Sequence, residues 1–238
     1  MKRSEQIIIP YSEAMVKKIG VANLAKERNR NFLGHIFFYA IDHRYRKVVH
    51  LSKWFREQLR LAELDVKMQA EVKKLKSAST SNDDLMRRIL LFTQKVVFYT
   101  ADPLSKISTP EYWQTASETF IWGMGDCEDG AIFMATMALM AGIDPNQIML
   151  NAGPVYDESS RMNKLAEELG QVKNLDSIGH CWLEYLSEYD GVPRIMDWCY
   201  WSNRKLVKNR PYYTQEPKYF DTWFSFNSLR YYGRFRNE

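Results

Sequence analysis

Residues 130–143 read GAIFMATMALMAGI, without one charged side chain. The helix expected over 127–141 is apolar on nearly every face and has almost no side to offer water. It must occupy the middle of a core, with other elements packed around it. Immediately ahead stands GMGDCED (123–129), in which Cys127 lies between acids and opens the helix. Gly123 and Gly125 let the backbone approach closely before the thiol. Gly142 can close the helix in the left-handed conformation that glycine tolerates. From this segment alone Cys127 reads three ways: a small buried hydrophobe, a metal ligand, or a nucleophile.

The rest of the chain supplies the layers around that helix. Residues 1–76 have helical character, with Trp54, Phe55, Leu59, Leu61, Ala62 and Leu64 at helical spacings among Lys and Arg. No Gly or Pro falls between Leu51 and Lys76, which predicts one long helix there. SASTSN (77–82) interrupts it, because Ser, Thr and Asn favour caps and turns. Ser81 or Asn82 can cap a helix over 83–100, with acids in its first turn and Leu85, Ile89, Phe92, Val96 and Val97 on its apolar face. QIMLNAGPVY (147–156), GHCWLEYL (179–186) and RIMDWCY (194–200) read as strands, and 157–178 as a loop with a short helix at RMNKLAEELG. Helices followed by antiparallel strands predict an α+β fold. The boundaries fall at 1–80 (a basic helical extension and linker), 81–203 (the domain), and 204–238 (an aromatic, basic tail). So many tail rings would not stay in water, so the tail is expected to pack on the domain.

Charge is uneven. Residues 1–76 carry net +9, 77–203 carry −10 and 204–238 carry +5. Basic ends can meet nucleic acid, an acidic partner, or the chain's own acidic middle. Solvated helix faces and internal complementarity account for them best, so nucleic acid is not expected as a partner. The stretch after Met1 has an apolar run of only three residues before Pro10, unlike a signal peptide. FLGHIFFYAI (32–41) is too short to span a bilayer. These features predict a soluble, cytoplasmic protein. Three cysteines, Cys127, Cys181 and Cys199, suit reduced thiols better than a disulfide framework.

A catalytic cysteine must lose its proton, and a helix N-terminus stabilises the resulting anion. The backbone N–H groups there can also contribute to an oxyanion hole. Asp126, Glu128 and Asp129 act against this, since nearby negative charge raises a thiol's pKa. Of the four histidines, only His180 lies in the domain; His35, His43 and His50 read as packing or surface residues. Asp197 sits in an apolar stretch where a carboxylate is costly unless paired. Antiparallel pairing around 186–191 can set His180 opposite Asp197 on one face, with Trp182 and Cys199, while Cys181 points the other way. That register needs a loop of about six residues. A two-residue Asp190-Gly191 turn would instead pair Asp197 with Glu184, out of reach of His180. Zinc held by Cys127, His180 and Cys199 lacks the usual CxxC or HxxxH spacing. Met134, Met137 and Met140 read as core.

The pattern W-x-x-x-x-E-x-x-x-x-G-x-G-D-C-E-D (Trp113, Glu118, Gly123 to Asp129), followed by GHCWLEY and IMDW, resembles the transglutaminase-like superfamily. The match is to its bacterial transglutaminase-like cysteine proteinases, over roughly 83–203. The resemblance implies a papain/transglutaminase-like core: a central buried helix on an antiparallel sheet, flanked here by the helical extension and the aromatic tail. It implies Cys127 as nucleophile, His180 as general base and acid, and Asp197 as its orienter. Gln114 and Trp113 are candidates for the oxyanion site. Asp126 and Glu128 match positions that bind calcium in some relatives; no other cofactor is implied. Gly130 stands where the family usually has an aromatic, Ala116 where a Pro is usual, and Trp198 where a Pro often follows the triad Asp. The implied activity is a thiol peptidase acting on protein or peptide. Acyl transfer to an amine is the alternative, as is an inactive structural module docked by residues 1–76 into a larger assembly such as a phage particle.

Overall fold

The computed structural model describes residues 49–100, 113–156, 177–200, 206–211, 219 and 222–233. The arm before residue 49, the short helix expected at 161–170 and much of the tail lie outside them. Helices α1 (Val49–Ala62), α2 (Val66–Ala78) and α3 (Asn82–Val96) come first. The single helix expected over 51–76 is therefore two. Asp65 breaks it: its carboxylate accepts the N–H groups of Lys67 at 3.0 Å and Met68 at 3.1 Å. A side chain that caps a new helix start competes with continuing the old one. Ser81 caps α3 in the same way, accepting the N–H of Asp84 at 3.1 Å.

A two-residue strand β1 (Phe98–Tyr99) pairs in parallel with β2 (Met124–Gly125). Between them lies α4 (Ala116–Trp122). The apolar run forms α5 (Cys127–Met140), buried at every residue from Glu128 to Ala138. Gly142 follows with φ of 93°. Strands β3 (Ile148–Tyr156), β4 (Ser177–Leu186), β5 (Pro193–Met196), β6 (Phe224–Phe226) and β7 (Tyr231–Gly233) form an antiparallel sheet in the order β5-β4-β3-β6-β7. Helix α5 contacts β3 and β4 as well as α1 to α4.

One buried cluster includes Leu51, Phe55, Met68 and Val72 together with Phe133, Met137, Leu183 and Phe226. The 77–82 linker thus joins two helices of one core. Phe224 and Phe226 of the tail enter that core on β6, which pairs with β3 and is a strand of the sheet itself. Along β4, Cys181, Leu183 and Tyr185 face this cluster, while Trp182 joins Val155, Ile195 and Tyr219 in a second one. The alternation places the two clusters on opposite faces of the sheet.

The β4–β5 hairpin takes neither expected register. Leu183 pairs with Met196 and Leu186 with Pro193, and the Ser187 N–H donates to the Val192 carbonyl at 3.1 Å. The loop is residues 188–191, with Gly191 at φ of 67°. Continued by one residue, the register sets Asp197 beside Trp182 and diagonal to His180, and diagonal neighbours can still touch. Strand β5 also ends at Met196, earlier than the expected 200. Asp197 turns the chain there by accepting the N–H of Cys199 at 2.7 Å.

Candidate active site

Cys127 is the first residue of α5, and the chain leading to it is fixed from two sides. The Phe98 and Thr100 N–H groups donate to the carbonyls of Gly123 and Gly125. Asp129 accepts the N–H of Asp126 at 3.3 Å with one oxygen and that of Gln114 at 2.7 Å with the other. Gly125 is required for this contact: a Cβ there would lie 2.6 Å from the Asp129 Cβ.

The Cys127 thiol donates to Glu128 Oε2 at 3.1 Å. Burial pushes this thiol well above its ordinary range, with help from Asp126, Cys181 and Cys199; the bond to Glu128 pulls the other way. Glu128 is itself buried. Burial, then Asp126 and Cys127, push its carboxyl well above the usual range. Its Oε1 has no hydrogen-bond partner among the described residues.

His180 lies on β4, and its Nε2 is 2.6 Å from Asp197 Oδ2. Tyr219 also donates to Oδ2, while Oδ1 takes the Cys199 N–H. Asp197 is fully buried, which alone would raise its pKa. The His180 charge and the hydrogen bonds from His180, Tyr219 and Cys199 outweigh burial and hold the carboxyl below the usual range. The ring of Tyr200 lies 4.8 Å from that of His180.

The structure therefore brings together His180 and Asp197, and separately Cys127 with Glu128. Ligand-capable atoms of His180, Asp197 and Cys199 lie within 4.8 Å of one another, as do those of Asp126, Cys127 and Glu128. Among the described residues no hydrogen bond joins the Cys127 thiol to His180. The buried, unpartnered Glu128 Oε1 beside Asp126 is the kind of hard oxygen donor that calcium takes, so these two residues fit such an ion.

Gln114 is buried, and its side-chain Oε1 has no hydrogen-bond partner among the described residues, although its backbone is tied to Asp129. The Trp113 ring is packed against Trp54, Phe224 and Phe226. Three neighbours of the site were not found from sequence. Tyr219 comes from the tail, and no spacing rule links it to Asp197. Arg210 is buried and lowered to about 10 by burial, against the pull of Asp197. Trp198 donates its indole N–H to the Cys127 carbonyl at 3.1 Å.

No protein-family profile and no curated protein matches the chain. Among solved structures it is similar to LapG of Legionella pneumophila, a bacterial transglutaminase-like cysteine protease. The calcium-bound form aligns at 17% identity over 94% of this chain and 90% of that one, with a TM-score of 0.47. The EGTA-treated form aligns at 16% identity over 79% and 86%, also at 0.47. A third LapG structure aligns at 17% identity over 79% and 88%, at 0.46. Among the described residues no helix is long and apolar enough to cross a membrane.

Proposed function

We propose that the chain is a cysteine-dependent amide hydrolase acting on protein or peptide, with Cys127 as nucleophile, His180 as general base and acid, and Asp197 as orienter. The observation that carries this reading is the buried 2.6 Å contact between His180 and Asp197, although strand alternation sets His180 on the Trp182 face of β4 and it is Cys181 that faces the cluster Cys127 packs against. Asp197 commits Nε2, so Nδ1 is the nitrogen left to take the thiol proton. The thiolate attacks the amide carbonyl, and His180 returns the proton to the leaving amine. Water then hydrolyses the thioester. The first N–H groups of α5 have no partner within the helix and suit a developing oxyanion. The Gln114 amide is the side chain that joins them. Calcium held by Asp126 and Glu128 would offset their negative charge beside the thiol.

Alkylation of the native protein with iodoacetamide, from about pH 5 to about pH 9 so as to span imidazole and thiol titration, tests the reading. Sites are located by mass spectrometry. Cys127 should react fast near neutral pH and lose that advantage in His180→Ala. A Cys127 no faster than Cys181 and Cys199 overturns the proposal. Two observations favour that outcome and the reading of an inactive assembly module: the thiol is bonded to Glu128 and pushed up by burial, and His180 lies on the Trp182 face of β4, away from the cluster that Cys127 packs against. Product analysis with an added primary amine separates hydrolysis from acyl transfer.

A further inference from the structure

The turn that carries Asp197 also reaches the nucleophile, through Trp198. Its indole N–H donates to the Cys127 carbonyl at 3.1 Å, and its own carbonyl accepts from Gln94 Nε2 of α3 at 2.8 Å. The Tyr99 ring lies 5.8 Å from it on the outer side. The indole occupies the space a side chain would take at Gly130. A Cβ there would fall 2.2 Å from both Trp198 Cε2 and Nε1, and 2.8 Å from Cδ1. Glycine inside a helix costs about 1 kcal/mol against alanine, yet one stands here in the most buried helix. Residues three apart share a helix face, so the notch at Gly130 lies beside Cys127. Two of the three departures from the family pattern, Gly130 and Trp198, are thus one feature: a ring seated in a notch.

We propose that Trp198 is a positioning residue for the thiol. It pins the first turn of α5 to the turn after β5, and so sets Cys127 at a fixed place relative to the imidazole that Asp197 holds. The proposal rests on reading Cys127 and His180 as a working pair. Packing alone would need the ring and not the N–H; the bond to the Cys127 carbonyl gives the N–H a task.

The experiment uses the full chain and measures the alkylation rate of Cys127 at one neutral pH, with Cys181 and Cys199 as internal references. Trp198→Phe keeps a ring in the notch and removes the N–H. It should slow Cys127 about ten-fold, the effect of one ordinary hydrogen bond, without slowing the references. In a His180→Ala background the same substitution should change nothing, because the pair it aligns is gone. Gly130→Ala, which displaces the ring, should slow Cys127 similarly, and adding Trp198→Phe to it should cost nothing more. A Trp198→Phe rate equal to wild type, or an equal slowing with and without His180, overturns the positioning role while His180→Ala still reports on the pair. If His180→Ala leaves Cys127 unchanged, the pair itself is wrong and the role of Trp198 falls with it.

Discussion

Asp197 and Glu128 are both buried carboxyls in the same site, yet their surroundings push them in opposite directions. Asp197 is ringed by donors: His180 and Tyr219 on one oxygen, the Cys199 N–H on the other, with Arg210 close enough for its charge to be felt. Glu128 meets Asp126, Asp129 and a thiol, and one of its oxygens has no hydrogen-bond partner among the described residues. A buried charge is tolerated only where donors or opposite charges repay its desolvation. The sheet end of the site is therefore built to hold an anion, and the helix end to hold protons. His180 and Asp197 are already in contact, while burial works against the thiolate at Cys127.

The largest break in this contrast is Asp197→Ala. It strips the partner from His180 and Tyr219 and should cost about 3 to 5 kcal/mol in urea unfolding, as for other broken buried pairs. It should also remove any fast neutral labelling of Cys127. Tyr219→Phe deletes one hydrogen bond to a carboxylate and should cost about 2 kcal/mol, with His180 still in place and Cys127 labelling retained. A Tyr219→Phe protein as stable as wild type would mean that this hydroxyl contributes nothing to the anion site.

Glu128→Gln sharpens the other half. A carboxyl raised in the folded state weighs against folding as pH climbs above its unfolded value of about 4.3. The amide should thus stabilise the protein by about 1 kcal/mol at neutral pH and by almost nothing below about pH 4. Asp197 has the opposite sign. Its depressed value gives stability that is complete above the unfolded Asp range, about 3.9, and is lost as pH falls through the lower folded value. The acid limb of a pH–stability curve should flatten in Asp197→Ala and keep its slope in Glu128→Gln. The smallest expected effect is that of calcium, which should raise the melting temperature of wild type by a few degrees and that of Glu128→Gln by less. An equal rise in both proteins would remove Glu128 from the cation site.

The central helix was legible because fourteen residues without a charge leave only one place to go. The facing of His180 and Asp197 was legible because strand alternation and the cost of a lone buried carboxylate point the same way. The hairpin was not. Asp190-Gly191 signals a tight turn, but here Gly191 closes a four-residue loop in which Arg194 is tied to Asp190 and Lys208 stands over the Tyr189 ring. The helix break at Asp65 was signalled only by its own capping side chain, with no glycine or proline beside it. Tyr219 and Trp198 were out of reach for a different reason. Each acts across a contact that no local period encodes.

Strand β6 lies next to β3 at the heart of the sheet, although about seventy residues separate them along the chain. Its rings Phe224 and Phe226 seat Trp113, and the same late segment brings Tyr219 to Asp197. On a ribosome these residues emerge after everything else in the site. Until they do, the middle of the sheet has an unpaired edge and the carboxylate lacks one of its donors. A partly synthesised chain therefore holds Cys127, His180 and Asp197 on a sheet that still lacks β6 and β7. The sheet that carries His180 is therefore completed by the last strands to be made.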